Sequence, residues 1–134
     1  LFSALTTGLE FTNDLRLGRP LGTFENPRPN RAEARRSGRS SRHVELSLVA
    51  LSELASILAQ STPDLQTTLG EQFGVAIDRV SSLDDPSFAL VAEIQGRIRV
   101  EGLQNLVQDI ASLVATGLGP TLGVAAGFNS LDGD

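Results

Sequence analysis

The chain has 134 residues, of which 40% are hydrophobic, 20% charged and 4% aromatic, and it carries a net charge of −5. A chain of this length buries roughly two-thirds of its unfolded surface, enough for a real core, and the composition is that of a globular domain. With no cysteine, disulfides, thiolate metal sites and cysteine nucleophiles are excluded.

The aromatic residues are all Phe, and a core of Leu, Ile, Val and Ala suits helix packing better than a β-sandwich. No apolar run approaches the roughly 20 residues that span a membrane, and no signal peptide opens the sequence. The chain begins Leu1-Phe2-Ser3-Ala4-Leu5, which reads as a helix already under way, so it is expected to be a processed or truncated product. Any membrane association then runs through a segment outside it. Charge is unevenly distributed, and every basic residue is Arg. Residues 1–42 hold eight Arg against four acids, whereas residues 43–134 hold three Arg against twelve acids.

Four helical stretches are predicted. The first covers 1–17 and is stopped by Gly18 and Pro20. The second covers 41–60, with Val44, Leu48, Leu51, Ala55 and Leu58 on one buried stripe. The third opens at Thr62-Pro63-Asp64, a cap residue, a first-turn proline and an acid placed against the helix dipole; its stripe is Leu65, Leu69, Phe73, Ala76 and Val80. The fourth opens in the same way at Asp85-Pro86 and reaches about Thr116, burying Val91, Ile94, Ile98, Leu106, Ile110 and Leu113. The short connections within 60–87 make helices two, three and four antiparallel neighbours. The expected fold is an all-α, up-down bundle of about four helices in one domain over 1–134. Residues 18–40 form a long irregular loop rich in Arg and Pro, functional or disordered, in which Leu21, Phe24 and Pro27 are apolar anchors over a surface. Residues 117–134 form a tail that wraps back over the bundle.

Several residues bear chemistry. Glu10 and Asp14 lie four apart, on one helical face, where two carboxylates bind a hard cation, divide acid and base roles, or are simply solvated beside Arg16. The arginines between Asn26 and Ser40 suit carboxylate or phosphate, or pair with the acidic helices of the same chain. Nucleic acid is disfavoured as a partner, since no aromatics are interleaved and the rest of the chain is acidic. His43 is the only histidine and reads as a capping or packing residue near a helix start. Ser37 and Ser40 stand close to it in sequence, but Ser before a helix is commonly an N-cap, and no Ser-His-Asp order or HExxH motif assembles. The ending Asn129-Ser130-Leu131-Asp132-Gly133-Asp134 is better read as turn chemistry than as a calcium loop.

Taken together, these residues resemble a known family. Glu10 with Arg16, the run Leu17-Gly18-Arg19-Pro20-Leu21-Gly22, then Pro27-Arg28-Pro29, Glu33, Ser37-Gly38-Arg39-Ser40 and a long amphipathic helix resemble the second half of the imelysin family. The ending from Gly127 to Asp134 is also similar to that family's C-terminus. The resemblance implies half of a two-bundle helical fold, exported to the bacterial periplasm or outer membrane. Founding members were described as insulin-cleaving metallopeptidases, and relatives occur in iron uptake. It further implies that a divalent metal or iron is held mainly by the first half, the partner of this one, which carries the hallmark Gly-x-His-x-x-Glu. No such motif occurs here, and members often carry an aromatic where Arg36 stands. By carry-over, Glu10, Arg16, Glu33, Ser37 and Ser40 are expected to face a cleft between the halves, with Asp14 and His43 as further candidates. The implied function is a cleft binding metal, a small ligand or a peptide; a metallopeptidase completed by the other half and a plain interaction domain are the alternatives.

Overall fold

The computed structural model describes residues 1–124, and among these the chain is all-α. Helix α1 (residues 2–21) is assembled from Phe2–Phe11, a π-helical stretch Thr12–Leu17 and a last α-helical turn Gly18–Leu21. Its buried stripe opens with Leu5 and Leu9. In an unbroken α-helix Arg16, seven residues beyond Leu9, would continue that stripe. The wider π turn absorbs an extra residue, so Leu17 and Leu21 take the buried positions and Arg16 moves to the edge. The expected stop at Gly18 and Pro20 is therefore corrected. Pro20 lies within the α-helical turn that follows the π stretch and does not end the helix. The helix ends at Gly22, whose φ of +57° suits glycine; a Cβ there would lie 2.4 Å from the Asn26 carbonyl oxygen.

The connection that follows is built from turns. Thr23 and Asn26 exchange backbone hydrogen bonds of 3.3 and 3.0 Å, the Arg28 N–H donates to the Pro20 carbonyl at 2.9 Å, and Pro29–Arg31 forms a 3-10 turn. Leu21 is buried and Pro27 half-buried, but Phe24 is exposed, so only two of the three expected anchors hold. The Phe24 ring lies 5.7 Å from the Arg97 guanidinium, a cation–π contact that replaces apolar packing.

Helices α2 (Ser40–Leu58) and α3 (Pro63–Ser81) bury the expected faces: Val44, Leu48 and Ala55 on the first, Leu69, Phe73, Ala76 and Val80 on the second. Their short connection returns the chain so that the two helices pack along each other, the most extensive contact in the fold. Pro63 opens α3 as expected, although Thr62 makes no side-chain capping bond.

The fourth helix departs from expectation in both start and register. Asp85-Pro86 belongs to an irregular segment in which Asp84 and Phe88 have φ of +53° and +59°. Asp85 is buried, and its Oδ2 accepts the Leu90 N–H at 3.1 Å, tying down the 3-10 turn Ala89–Ala92. Helix α4 (residues 94–121) then runs as Ile94–Leu113, a π stretch Val114–Leu118 and Gly119–Thr121. It buries Val100, Leu103, Val107, Ile110 and Val114, whereas Ile94 and Ile98 are 72% and 59% exposed. Both stripes obey the helical period, so periodicity cannot choose between them. Gly96 does: a Cβ there would sit 2.1 Å from the Leu90 carbonyl oxygen, so this face packs against the preceding turn. Residues 117–121 complete α4 instead of opening a tail, and the residues beyond Val124, with the turn expected over 129–134, lie outside the described residues. Among the described residues no helix is long and apolar enough to cross a membrane.

Candidate functional site

The displacement of Arg16 from the core builds the site. At the edge of α1 its guanidinium stacks over Phe11, 4.7 Å from the ring centroid. Its Nε donates to Glu33 Oε1 at 3.2 Å, and a terminal nitrogen donates to Ser47 Oγ on α2. Glu33 sits in the connection just before Ala34, a non-glycine residue at φ +57°. There the Ser40 hydroxyl fixes the Glu33 backbone by donating to its carbonyl at 2.5 Å. From the first turns of α2, His43 brings Nδ1 to 2.7 Å from the same Oε1 that Arg16 holds. One carboxylate oxygen is thus shared by a guanidinium and an imidazole.

The Glu33 carboxyl lies below its ordinary value of 4.5, chiefly through the His43 hydrogen bond and further through Arg16, with partial burial opposing. An ionised carboxylate only accepts, so His43 presents Nδ1–H to it. In the neutral ring Nε2 is then the nitrogen left to bind something else, and it makes no hydrogen bond among the described residues. A carboxylate that fixes the tautomer and orientation of a histidine is the arrangement that supports metal-ligating histidines. The His43 side chain is 34% exposed and that of Glu33 is 40% exposed, so the pair is reachable from solvent.

The remaining candidates divide. Ser40 is buried and joins the cluster through the Glu33 carbonyl instead of capping α2. Ser37 donates to the Ala34 carbonyl at 3.1 Å and holds the turn from outside. Asp14 accepts from Asn13 Nδ2 at 2.7 Å on the exposed side of the π stretch. Glu10 lines a different place, a cavity of about 230 Å³ bordered by Thr6, Leu9, Asn13, Gln108, Ala111 and Ala115 between α1 and α4. The fold therefore brings Arg16, Glu33, Ser40 and His43 together, while Glu10 borders this cavity and, with Phe11 and Asp14, a second hollow on α1. Ser47 and Phe11 complete the cluster, and neither carries a sequence signal beyond its helical position.

The family model described as Imelysin matches residues 1–114. The chain belongs to the imelysin family. No curated protein and no solved structure matches it. In this imelysin chain no group of three His, Cys, Asp or Glu among the described residues is placed to hold a metal ion. His43, oriented by Glu33, can offer one nitrogen to a metal ion and not a whole coordination shell. The arginines of the connection also differ from one expectation. Instead of pairing with the acidic helices, Arg28, Arg31, Arg35, Arg36 and Arg39 make no ion pair among the described residues; Arg16 pairs with Glu33, Arg42 with Glu45 and Arg97 with Glu101.

Proposed function

We propose that this imelysin domain is a binding module in which the Arg16–Glu33–His43 cluster forms one wall of a cleft for a metal ion or a small metal-bearing ligand. The observation that carries this reading is the 2.7 Å contact between Glu33 and His43 Nδ1, which directs Nε2 towards a ligand. A bound metal would supply Lewis-acid or redox chemistry that these side chains lack. The chain's own residues orient the imidazole, keep Glu33 ionised and hold Arg16 against Ser47. With His43 Nε2 as one ligand and Glu33 committed to orienting its ring, the other ligands come from outside this chain, for which the first half of the family fold is the proposed partner. The setting proposed by family resemblance is iron acquisition in the bacterial periplasm.

The metallopeptidase reading would use Arg16 to polarise a substrate carbonyl. Arg16 is already engaged by Glu33, Ser47 and the Phe11 ring, which favours a supporting role and hence the binding reading. Calorimetric titration of the complete protein with ferrous and zinc ions separates the possibilities. Binding without cleavage of a test peptide, weakened roughly 10- to 100-fold by His43→Ala or Glu33→Gln, is the expected result. Chelator-sensitive peptide cleavage would replace it with the enzymatic reading. No binding of either ion would leave a plain interaction domain, and unchanged affinity in both variants would overturn the role given to His43 and Glu33.

A further inference from the structure

Beside the cluster the connection forms a second feature that the proposed function does not use. Asn30, Ala32, Ala34, Arg35 and Arg36 line a hollow of about 390 Å³. The turn through Ala34, at φ +57°, gives Glu33 to the Arg16–His43 cluster, while the next two residues border the hollow. Glu33 is the only acid between Arg28 and Arg39, and its carboxylate is already occupied. Five arginines in twelve residues therefore form no ion pair among the described residues.

Such a concentration of like charge raises the energy of the folded connection through mutual repulsion, and an anion relieves it. The residue type narrows the anion. Every cation in the segment is Arg, whose planar fork matches carboxylate and phosphate oxygens in pairs, which an ammonium point charge does not do. Adjacent arginines at the rim, with the Asn30 carboxamide as a neutral donor, suit a ligand carrying more than one acidic group.

We infer that the hollow lined by Arg35, Arg36 and Asn30 is a binding site for a small polyanion bearing at least two carboxylate or phosphate groups. The site is separate from the Glu33–His43 pair and does not depend on metal binding there. Among the described residues Arg35 and Arg36 make no hydrogen bond through their side chains, so removing their charge leaves the turn's own bonds intact.

Titration calorimetry of the protein with tricarballylate and with pyrophosphate, at about 150 mM salt so that loose surface attraction is screened, tests the site. One of the two anions should bind, and the tighter one assigns the site to carboxylate or phosphate. The double variant R35Q/R36Q should weaken binding about tenfold or more, a change of one power of ten per roughly 1.4 kcal/mol. R35K/R36K, which keeps the charge and loses the fork, should fall between the two. Arg19→Gln, outside the hollow, should change nothing, and all variants should keep the wild-type helical circular dichroism. The inference fails if neither anion binds at millimolar concentration, or if acetate binds as tightly as they do. It also fails if R35K/R36K matches the wild type, or if Arg19→Gln costs as much as R35Q/R36Q.

Discussion

A buried guanidinium needs its donors occupied, and Arg97 meets that need across two helices. It donates through a terminal nitrogen to the Leu21 carbonyl at 2.6 Å and through Nε to Glu101 at 3.2 Å. The Leu21 carbonyl ends α1, where the helix dipole favours a cation. Arg97→Leu would leave that carbonyl without its donor, and a loss of about 1–3 kcal/mol is expected, read from urea unfolding. Glu33 gives a second expectation at this scale. Its folded pKa is depressed, so its contribution to stability is present above 4.5 and is lost as pH falls through the lowered value. The stability difference between wild type and Glu33→Gln should therefore be visible at neutral pH and shrink below pH 4.5. A difference that grew on acidification would contradict the assignment. Of these residues, Arg16 and Glu33 stand out in the sequence through family resemblance. Arg97 does not, because nothing in an i, i+4 Arg–Glu pair marks it as buried.

At the level of elements, α2 and α3 follow directly from apolar spacing, since each has a single apolar stripe and Pro63 marks a start. The two longer helices were less legible for a specific reason. In α1 the π stretch shifts the register, and the hydrophobic pattern alone does not announce where a wide turn will fall. In α4 two apolar stripes compete, and tertiary packing at Gly96 selects one. Gly96→Ala should therefore be severe, because the clash is with backbone at Leu90 rather than with a flexible side chain. A loss of about 1–3 kcal/mol or more is expected in thermal or urea unfolding. By contrast, Gly74→Ala, where a Cβ would meet nothing within 4 Å, should be neutral or stabilise α3 by up to about 1 kcal/mol. Asp85-Pro86 has the pattern of a helix start, since Asp-Pro commonly serves there. Its carboxylate instead accepts the Leu90 N–H in an irregular segment whose positive φ values no composition rule supplies.

Over the whole molecule, the separation of charge seen in the sequence becomes a division of labour within one segment. The turn at Ala34 places Glu33 with Arg16 and His43 and leaves its neighbouring arginines around a separate hollow. The π stretch of α1 makes this possible by rotating Arg16 out of the core stripe and towards the connection. The fold class and the family were legible from patterns spread along the chain. The composition of the site was legible only in part: its members come from α1, the connection and α2, and only packing shows that Ser47 joins them.

The most direct test of the binding wall is paramagnetic broadening in an NMR titration of the complete, isotope-labelled protein with manganous ion. Loss of signal concentrated at the His43 ring and neighbouring Glu33 and Ser47, and abolished by His43→Ala, is the predicted result. Broadening spread over the acidic surfaces of α3 and α4, with the His43 ring unaffected, would contradict it.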